Sequence, residues 1–379
     1  MQYDFDTVVE RRGTGSDKWD SYGPDILPMW IADSDFKSPQ PVIDAIRAVA
    51  DRGIFGYSKP DGKFEAAYAG WMHSRFAWQA DPAWVEWCPS LGNALAMTIR
   101  AFTVAGDNVA MLSPIYPPFI NLCRLNDRIP VQSALVGETF AIDFADLEKK
   151  LALPATKLLL LCNPHNPTGR VFRRDELERI GELCLKHGVL VFSDEIHCDI
   201  TFKGRHIPFP SLSPALGDIS LVGLNASKTF NLADLRSGAV LSSNPELRQR
   251  FAAERDKCKL GRCSLGVAGV TAAYNDCTDY ADQLLGYLSA NIALAVDFFT
   301  KHTPKIKAYH PEATFLLWLD CSAFGLDQSG IDDFFLSKAK VALNSGASFG
   351  EGGNGFVRMN LACPRSLVQE GLDRIKAAF

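Results

Sequence analysis

Six strand-length apolar runs, each followed by polar residues of a different kind, constrain this chain most. They fall at residues 84–88, 108–112, 157–162, 189–193, 220–224 and 238–242. Residues 93–103, 116–125 and 174–187, which lie between them, have helical spacing. Strands alternating with helices predict an α/β fold built on a mostly parallel sheet with both faces covered. In such sheets ligands bind at the carboxyl ends of the strands. The candidate site is therefore the set of residues just past those runs.

The flanking regions differ. Residues 1–40 read as an irregular arm, broken by Gly13, Gly15, Gly23, Pro24, Pro28 and Pro39. A helix is predicted from Pro41, with Val42, Ile43, Ile46 and Val49 on its apolar face. Residues 245–300 read as helical. The last 75 or so residues read strand, helix, strand, helix at 314–319, 331–340, 355–361 and 366–378, a smaller α+β domain that the arm joins. A length of 379 residues supports about two domains. The expected division is an arm at 1–40, a large domain at 41–285 and a small domain at 286–379.

Charge and cysteine content narrow the function classes. The net charge is -5, and no Lys/Arg-rich run marks a nucleic-acid surface. An anionic ligand would need a local site. None of the ten cysteines forms a CxxC pair, and several sit in apolar runs, as reduced cysteines of cytoplasmic proteins do. The polar first residues lack a signal-peptide core, and no apolar stretch approaches about 20 residues. The expectation is a cytoplasmic protein with neither membrane nor nucleic-acid partner.

Asn166, Asp194 and Lys228 each follow a predicted strand. Taken singly, Asp194 is an ordinary capping carboxylate and Lys228 an ordinary solvated lysine. Their order along successive strands favours a shared site. A lysine amine can form a Schiff base, and a carboxylate can keep a pyridine nitrogen protonated. Those are a protein's two main contributions to pyridoxal phosphate (PLP) chemistry. Ser227 and Arg236 could ligate a phosphate. Gly92 and Asn93 open a helix whose N-terminus could do the same, although any strand-to-helix turn needs a glycine. Tyr116 could stack on a cofactor ring or belong to the core. Two X-Pro bonds and Gly169 make residues 163–169 a rigid loop able to aim the Asn166 amide. Asp194, Glu195, His197 and Asp199 are a poor metal set, because successive side chains on a strand point to opposite faces.

Several segments together carry a resemblance. They are Leu27-Pro-Met-Trp-Ile-Ala-Asp33, Phe55-Gly-Tyr-Ser58, Tyr116-Pro-Pro-Phe119, Ser193-Asp-Glu-Ile-His197, Ser227-Lys-Thr-Phe-Asn231, Gly355-Phe-Val-Arg-Met-Asn360 and Cys363-Pro-Arg-Ser366. The chain resembles fold-type I PLP enzymes of the class I/II aminotransferase superfamily, and within them the MalY/PatB-type cystathionine β-lyases. The resemblance implies the aspartate aminotransferase fold and a homodimer with shared active sites. It implies that Lys228 carries the cofactor and shuttles the Cα proton, that Asp194 pairs with the ring nitrogen and that Asn166 contacts the ring's phenolic oxygen. Tyr116 would stack over the ring and His197 would lie near the same oxygen. Tyr57 would reach the partner subunit's phosphate. Arg358 would hold the substrate carboxylate, with Trp30 nearby.

The implied activity is carbon–sulfur β-elimination from L-cystathionine or other S-substituted L-cysteines, giving a thiol, pyruvate and ammonia. The alternative is transfer of an amino group between an amino acid and a 2-oxo acid. Three residues depart from the pattern. Arg236 matches aminotransferases more than several β-lyases, Asp234 replaces a small residue, and Asn93 stands where an apolar one is frequent.

Overall fold

The computed structural model describes residues 2–379. Its strands are β1 (Leu27–Pro28), β2 (Val85–Cys88), β3 (Asn108–Ser113), β4 (Ile129–Val136), β5 (Ala141–Ile142), β6 (Thr156–Cys162), β7 (Leu190–Asp194), β8 (Ser220–Leu224), β9 (Gly238–Leu241), β10 (Lys307–Tyr309), β11 (Leu316–Asp320), β12 (Val341–Ala342), β13 (Asn344–Ser345) and β14 (Phe356–Asn360). Eight of them form one sheet in the order β2-β9-β8-β7-β6-β3-β4-β5. The run β8-β7-β6-β3-β4 is parallel, while β9 is antiparallel to both its neighbours.

The continuous leucine run at 158–161 follows from burial on both sides. Leu158 and Leu160 pack in one core with Met111 and Phe192, beside helix Leu91–Phe102. Leu159 and Leu161 enter the opposite core with Leu177 and Ile180 of helix Arg174–His187. Period two thus divides a single apolar run between two cores.

β4 and β5 were not among the predicted strands. β4 lies towards the sheet edge and is mostly half-buried, and its Pro130, Gln132 and Ser133 interrupt the apolar pattern. Helix Lys63–Phe76 was missed too: Phe64, Tyr68, Trp71 and Met72 stand at helical spacing, but exposed Ala66 and Gly70 give the opposite face little polar contrast.

The second sheet is antiparallel, in the order β10-β11-β14-β13. Helix Thr278–His302 serves both halves. Tyr280, Leu284 and Leu288 pack into the core that includes Trp87 and Val222, whereas Ile292, Ala295 and Phe299 pack under β11 and β14. The expected boundary at 285/286 falls inside this unbroken helix. No helix among the described residues is long and apolar enough to cross a membrane.

The arm is more ordered than its glycines and prolines imply. β1 pairs in parallel with β12. A short helix, Asp17–Asp20, is capped by Ser16 Oγ. Lys18, 1% exposed, donates to Asp35 at 2.7 Å, and Trp19 Nε1 and Arg11 Nη1 donate to the same carboxylate at 2.8 and 2.6 Å. Burial alone would lower the Lys18 pKa, but Asp35 and Asp33 outweigh it and raise the value. Removing one partner of such a pair strands a buried charge. Asp35→Ala is therefore expected to cost about 3–5 kcal/mol, read from urea unfolding. A loss below about 1 kcal/mol would show the network to be a surface-like pair.

Candidate active site

The sheet's topology assembles the site. β2, β3, β6, β7 and β8 run in the same direction, so their carboxyl ends share one edge. Antiparallel β9 starts at that edge. A cavity of about 750 Å³ opens there. Ser90 and Gly92 reach it after β2, Tyr116 after β3 and Asn166 after β6. Asp194 ends β7, with His197 just beyond it. Ser227 and Lys228 follow β8, and Arg236 precedes β9. All of these predicted residues line one wall system.

Local structure explains each placement. Gly169 has φ +71°, and a Cβ there would stand 2.3 Å from the Pro311 side chain, so only glycine closes the Asn166 loop against the connection between β10 and β11. Tyr116 caps helix Pro117–Leu125 with its ring edge-on to Phe119. Lys228 sits in the short helix Ser227–Phe230. Its neighbour Thr229 donates to Asp199 at 2.8 Å, and Trp71 Nε1 donates to the same carboxylate at 2.9 Å. Asp194, Glu195 and Asp199 take three separate sets of partners, since Glu195 faces away to meet His206 at 2.7 Å.

The electrostatics suit a nucleophilic lysine. Lys228 Nζ donates to the Ala32 carbonyl at 2.6 Å. Burial, then the charge of Arg358, brings its pKa down to about 8 against the pull of Asp33 and Asp194. Burial pushes the Asp194 carboxyl up to about 7, although it accepts from the Ile196 N–H at 3.1 Å. A carboxyl so placed needs a cationic partner to stay ionised. Burial, with Lys228 and Arg358 nearby, drives the His197 pKa well below its ordinary value, so the ring is neutral. Its buried Nδ1 has no protein partner.

Arg358, on β14, stands behind Asn166. Its Nη1 donates to Asn166 Oδ1 at 3.0 Å. Arginine only donates, so this bond fixes the amide orientation and leaves the Asn166 NH₂ to donate elsewhere. Burial lowers the Arg358 pKa to about 10, which keeps it charged at neutral pH. Its Nε is buried without a partner.

Not every expected residue joins the cavity, and Arg358 stands behind Asn166 without lining it. Trp30 was expected at the substrate. Its ring instead packs edge-on against Tyr22 along a second cavity, and only its carbonyl reaches Arg358. Side chain and carbonyl leave the backbone in different directions, which position in the sequence cannot reveal. The Asn93 side chain accepts from Ser90 Oγ at 2.7 Å, and its N–H donates back at 3.2 Å; Asn93 completes the cap that Ser90 forms and does not line the cavity. Tyr57 is fully exposed and lies outside the cavity.

Other residues were missed. Arg11, Asp33 and residues 14–17 of the arm form the wall opposite the sheet edge. Arg11 Nη2 meets Asp33 at 2.8 Å. The only signal for this wall was the quoted segment ending in Asp33, because charged residues in an irregular arm carry no period.

The donor set can hold pyridoxal phosphate. Asp194 gives a buried carboxylate for a ring nitrogen. The Asn166 NH₂ and the unpartnered His197 ring suit a phenolic oxygen, and Lys228 suits the aldehyde carbon. Ser90, Gly92, Ser227 and Arg236 surround a place for phosphate at the N-terminus of helix Leu91–Phe102. The sequence pattern described as "Aminotransferase class I and II" matches residues 25–375. The chain belongs to the class I and II aminotransferase family. Within it, the chain falls in the MalY/PatB-type group. It is 42% identical to cystathionine beta-lyase PatB of Bacillus subtilis (strain 168), over 99% of both chains. It is 34% identical to protein MalY of Escherichia coli (strain K12), over 98% of this chain and 97% of that one. Among solved structures, cystalysin from Treponema denticola, which contains a pyridoxal 5'-phosphate cofactor, superposes with a TM-score of 0.96. That match has 33% identity and covers 100% of this chain and 99% of the other.

Proposed function

We propose that this chain is a PLP-dependent carbon–sulfur β-lyase. It cleaves L-cystathionine or other S-substituted L-cysteines to a thiol, pyruvate and ammonia. The observation that carries the reading is the Lys228 amine, brought down to about 8 in one cavity with a buried Asp194. The likeness to PatB over 99% of both chains supports this chemistry over the other reactions of the family.

The bound cofactor supplies an electron sink that makes the substrate's Cα–H acidic and lets the β-substituent leave with its electron pair. The chain's own residues do the rest. Arg358 holds the α-carboxylate. Lys228 would take the Cα proton as general base and pass it to the departing sulfur. Asp194 would keep the ring nitrogen protonated by its charge. Asn166 and neutral His197 would hold the ring's phenolic oxygen, and Tyr116 would lie against the ring. Ser90, Gly92, Ser227 and Arg236 would anchor the phosphate. The Cα–H and Cβ–S bonds break, the thiol keeps the proton, and water completes the release of pyruvate and ammonia.

The test is product analysis on a panel of S-substituted cysteines and of amino acid and 2-oxo acid pairs. Thiol and pyruvate should appear in equal amounts. Amino transfer without thiol release would make the chain an aminotransferase, the reading that Arg236 favours.

The active unit in this reading is a homodimer. Ile54, Phe55 and Tyr57 are 83%, 65% and 111% exposed, an apolar segment suited to cover by a second copy. Tyr57 would donate its phenol to the phosphate in the partner's site. Light scattering should give twice the chain mass, and Tyr57→Phe should release PLP more readily on dialysis. A fully active monomer would end the shared-site reading.

A further inference from the structure

The donors of Arg358 are unevenly spent. β13 and β14 pair so that Asn344 lies opposite Arg358. Asn344 Oδ1 accepts from Arg358 Nη2 at 2.5 Å, and the Trp30 carbonyl accepts from the same nitrogen at 3.0 Å. Nη2 carries two hydrogens, so both are taken. Nη1 donates to Asn166, and the buried Nε donates to nothing in the chain. A two-pronged grip on a carboxylate uses two parallel N–H bonds along one edge of the guanidinium. Each of its two such edges, Nε–Nη2 and Nη1–Nη2, includes a hydrogen of Nη2. A carboxylate gripped in this way must take that hydrogen from Trp30 or from Asn344.

The two acceptors differ in freedom. The Trp30 carbonyl is main chain, and its neighbours are pinned. Asn360 N donates to the Met29 carbonyl at 2.8 Å, and Asn360 Nδ2 donates to the carbonyls of Ile31 and Asp33. Moving it would move the arm. The Asn344 amide can leave by rotation about its own side-chain bonds. It also lines the second cavity, of about 370 Å³, where Ser345 and Ser348 could take up its hydrogen bonds. Arg358 does not depend on Asn344 for its place, because Asn166, the Trp30 carbonyl and the Phe349 ring at 5.1 Å also hold it.

We propose that Asn344 is a positioning residue that occupies the substrate carboxylate's place on Arg358 and gives it up when the substrate binds. The chain thereby keeps a buried guanidinium satisfied, and amino-acid affinity is reduced by the hydrogen bond that must be exchanged. This rests on the reading of Arg358 as the group that binds the carboxylate.

Calorimetric titration of the holoenzyme tests it, with L-alanine, which has no β leaving group, and with ethylamine, which lacks the carboxylate. Asn344→Ala should bind L-alanine roughly 3- to 10-fold more tightly, the factor one released hydrogen bond is worth. Asn344→Asp places a fixed anion on Arg358 and should weaken L-alanine at least about 10-fold. Ethylamine should change in neither variant. Unchanged or weaker L-alanine binding in Asn344→Ala overturns the proposal. If the alanine variant does not fold, unaltered L-alanine binding in Asn344→Asp overturns it equally. Arg358→Ala separates the two ideas. If that variant still prefers L-alanine over ethylamine as wild type does, the carboxylate reading of Arg358 is what fails.

Discussion

Lys228→Ala is expected to abolish β-elimination, with a fall in kcat of at least about 10⁴-fold, because it removes both the cofactor's attachment point and the general base. Borohydride reduction of the wild-type holoenzyme should fix the cofactor on the Lys228 peptide, located by mass mapping. The depressed pKa gives this result a pH signature. Attachment requires the neutral amine, so its rate in apoprotein reconstitution should rise with pH and level off above about 8. An ordinary lysine would level off only near about 10.4. Cofactor on another lysine, or turnover in the alanine variant near the wild-type rate, would remove the central assignment.

The physical reason for that pKa was only partly legible in the sequence. Strands β6, β7 and β8 were readable because burial on both faces turns them into unbroken apolar runs. Their ends then placed Asn166, Asp194 and Lys228 on one edge, where the cavity lies. Helix Arg174–His187 was likewise readable from its period. The arm was not. Arg11 and Asp35 are 24 positions apart in irregular chain, and nothing in their spacing distinguishes a buried ion pair from two solvated charges. The donor contacts of Arg358 were illegible for a related reason. Asn344 reaches it through the register of a two-residue strand, too short to show any period. Trp30 shows a complementary limit. The resemblance puts it beside the substrate, whereas here its ring lines the second cavity and its carbonyl meets Arg358.

Asp194→Asn separates holding the cofactor from activating it. The amide is nearly isosteric, and Asn166, Ser227, Arg236 and Lys228 remain, so PLP should stay bound and keep its visible absorbance. What is lost is charge. Burial already holds this carboxyl up to about 7, which means that ionised Asp194 and a protonated ring nitrogen would stabilise each other strongly in a site poor in water. Asparagine offers only a dipole, and the ring nitrogen would lose its proton. Cα deprotonation should then slow by about 10³-fold, comparable to removing a major electrostatic contact from an enzyme site. Exchange of the Cα proton of L-alanine with D₂O, followed by NMR, measures that step without any sulfur chemistry. Loss of PLP in this variant would make Asp194 a binding group first. Exchange near the wild-type rate with PLP retained would show that the ring's electron demand is set by another residue.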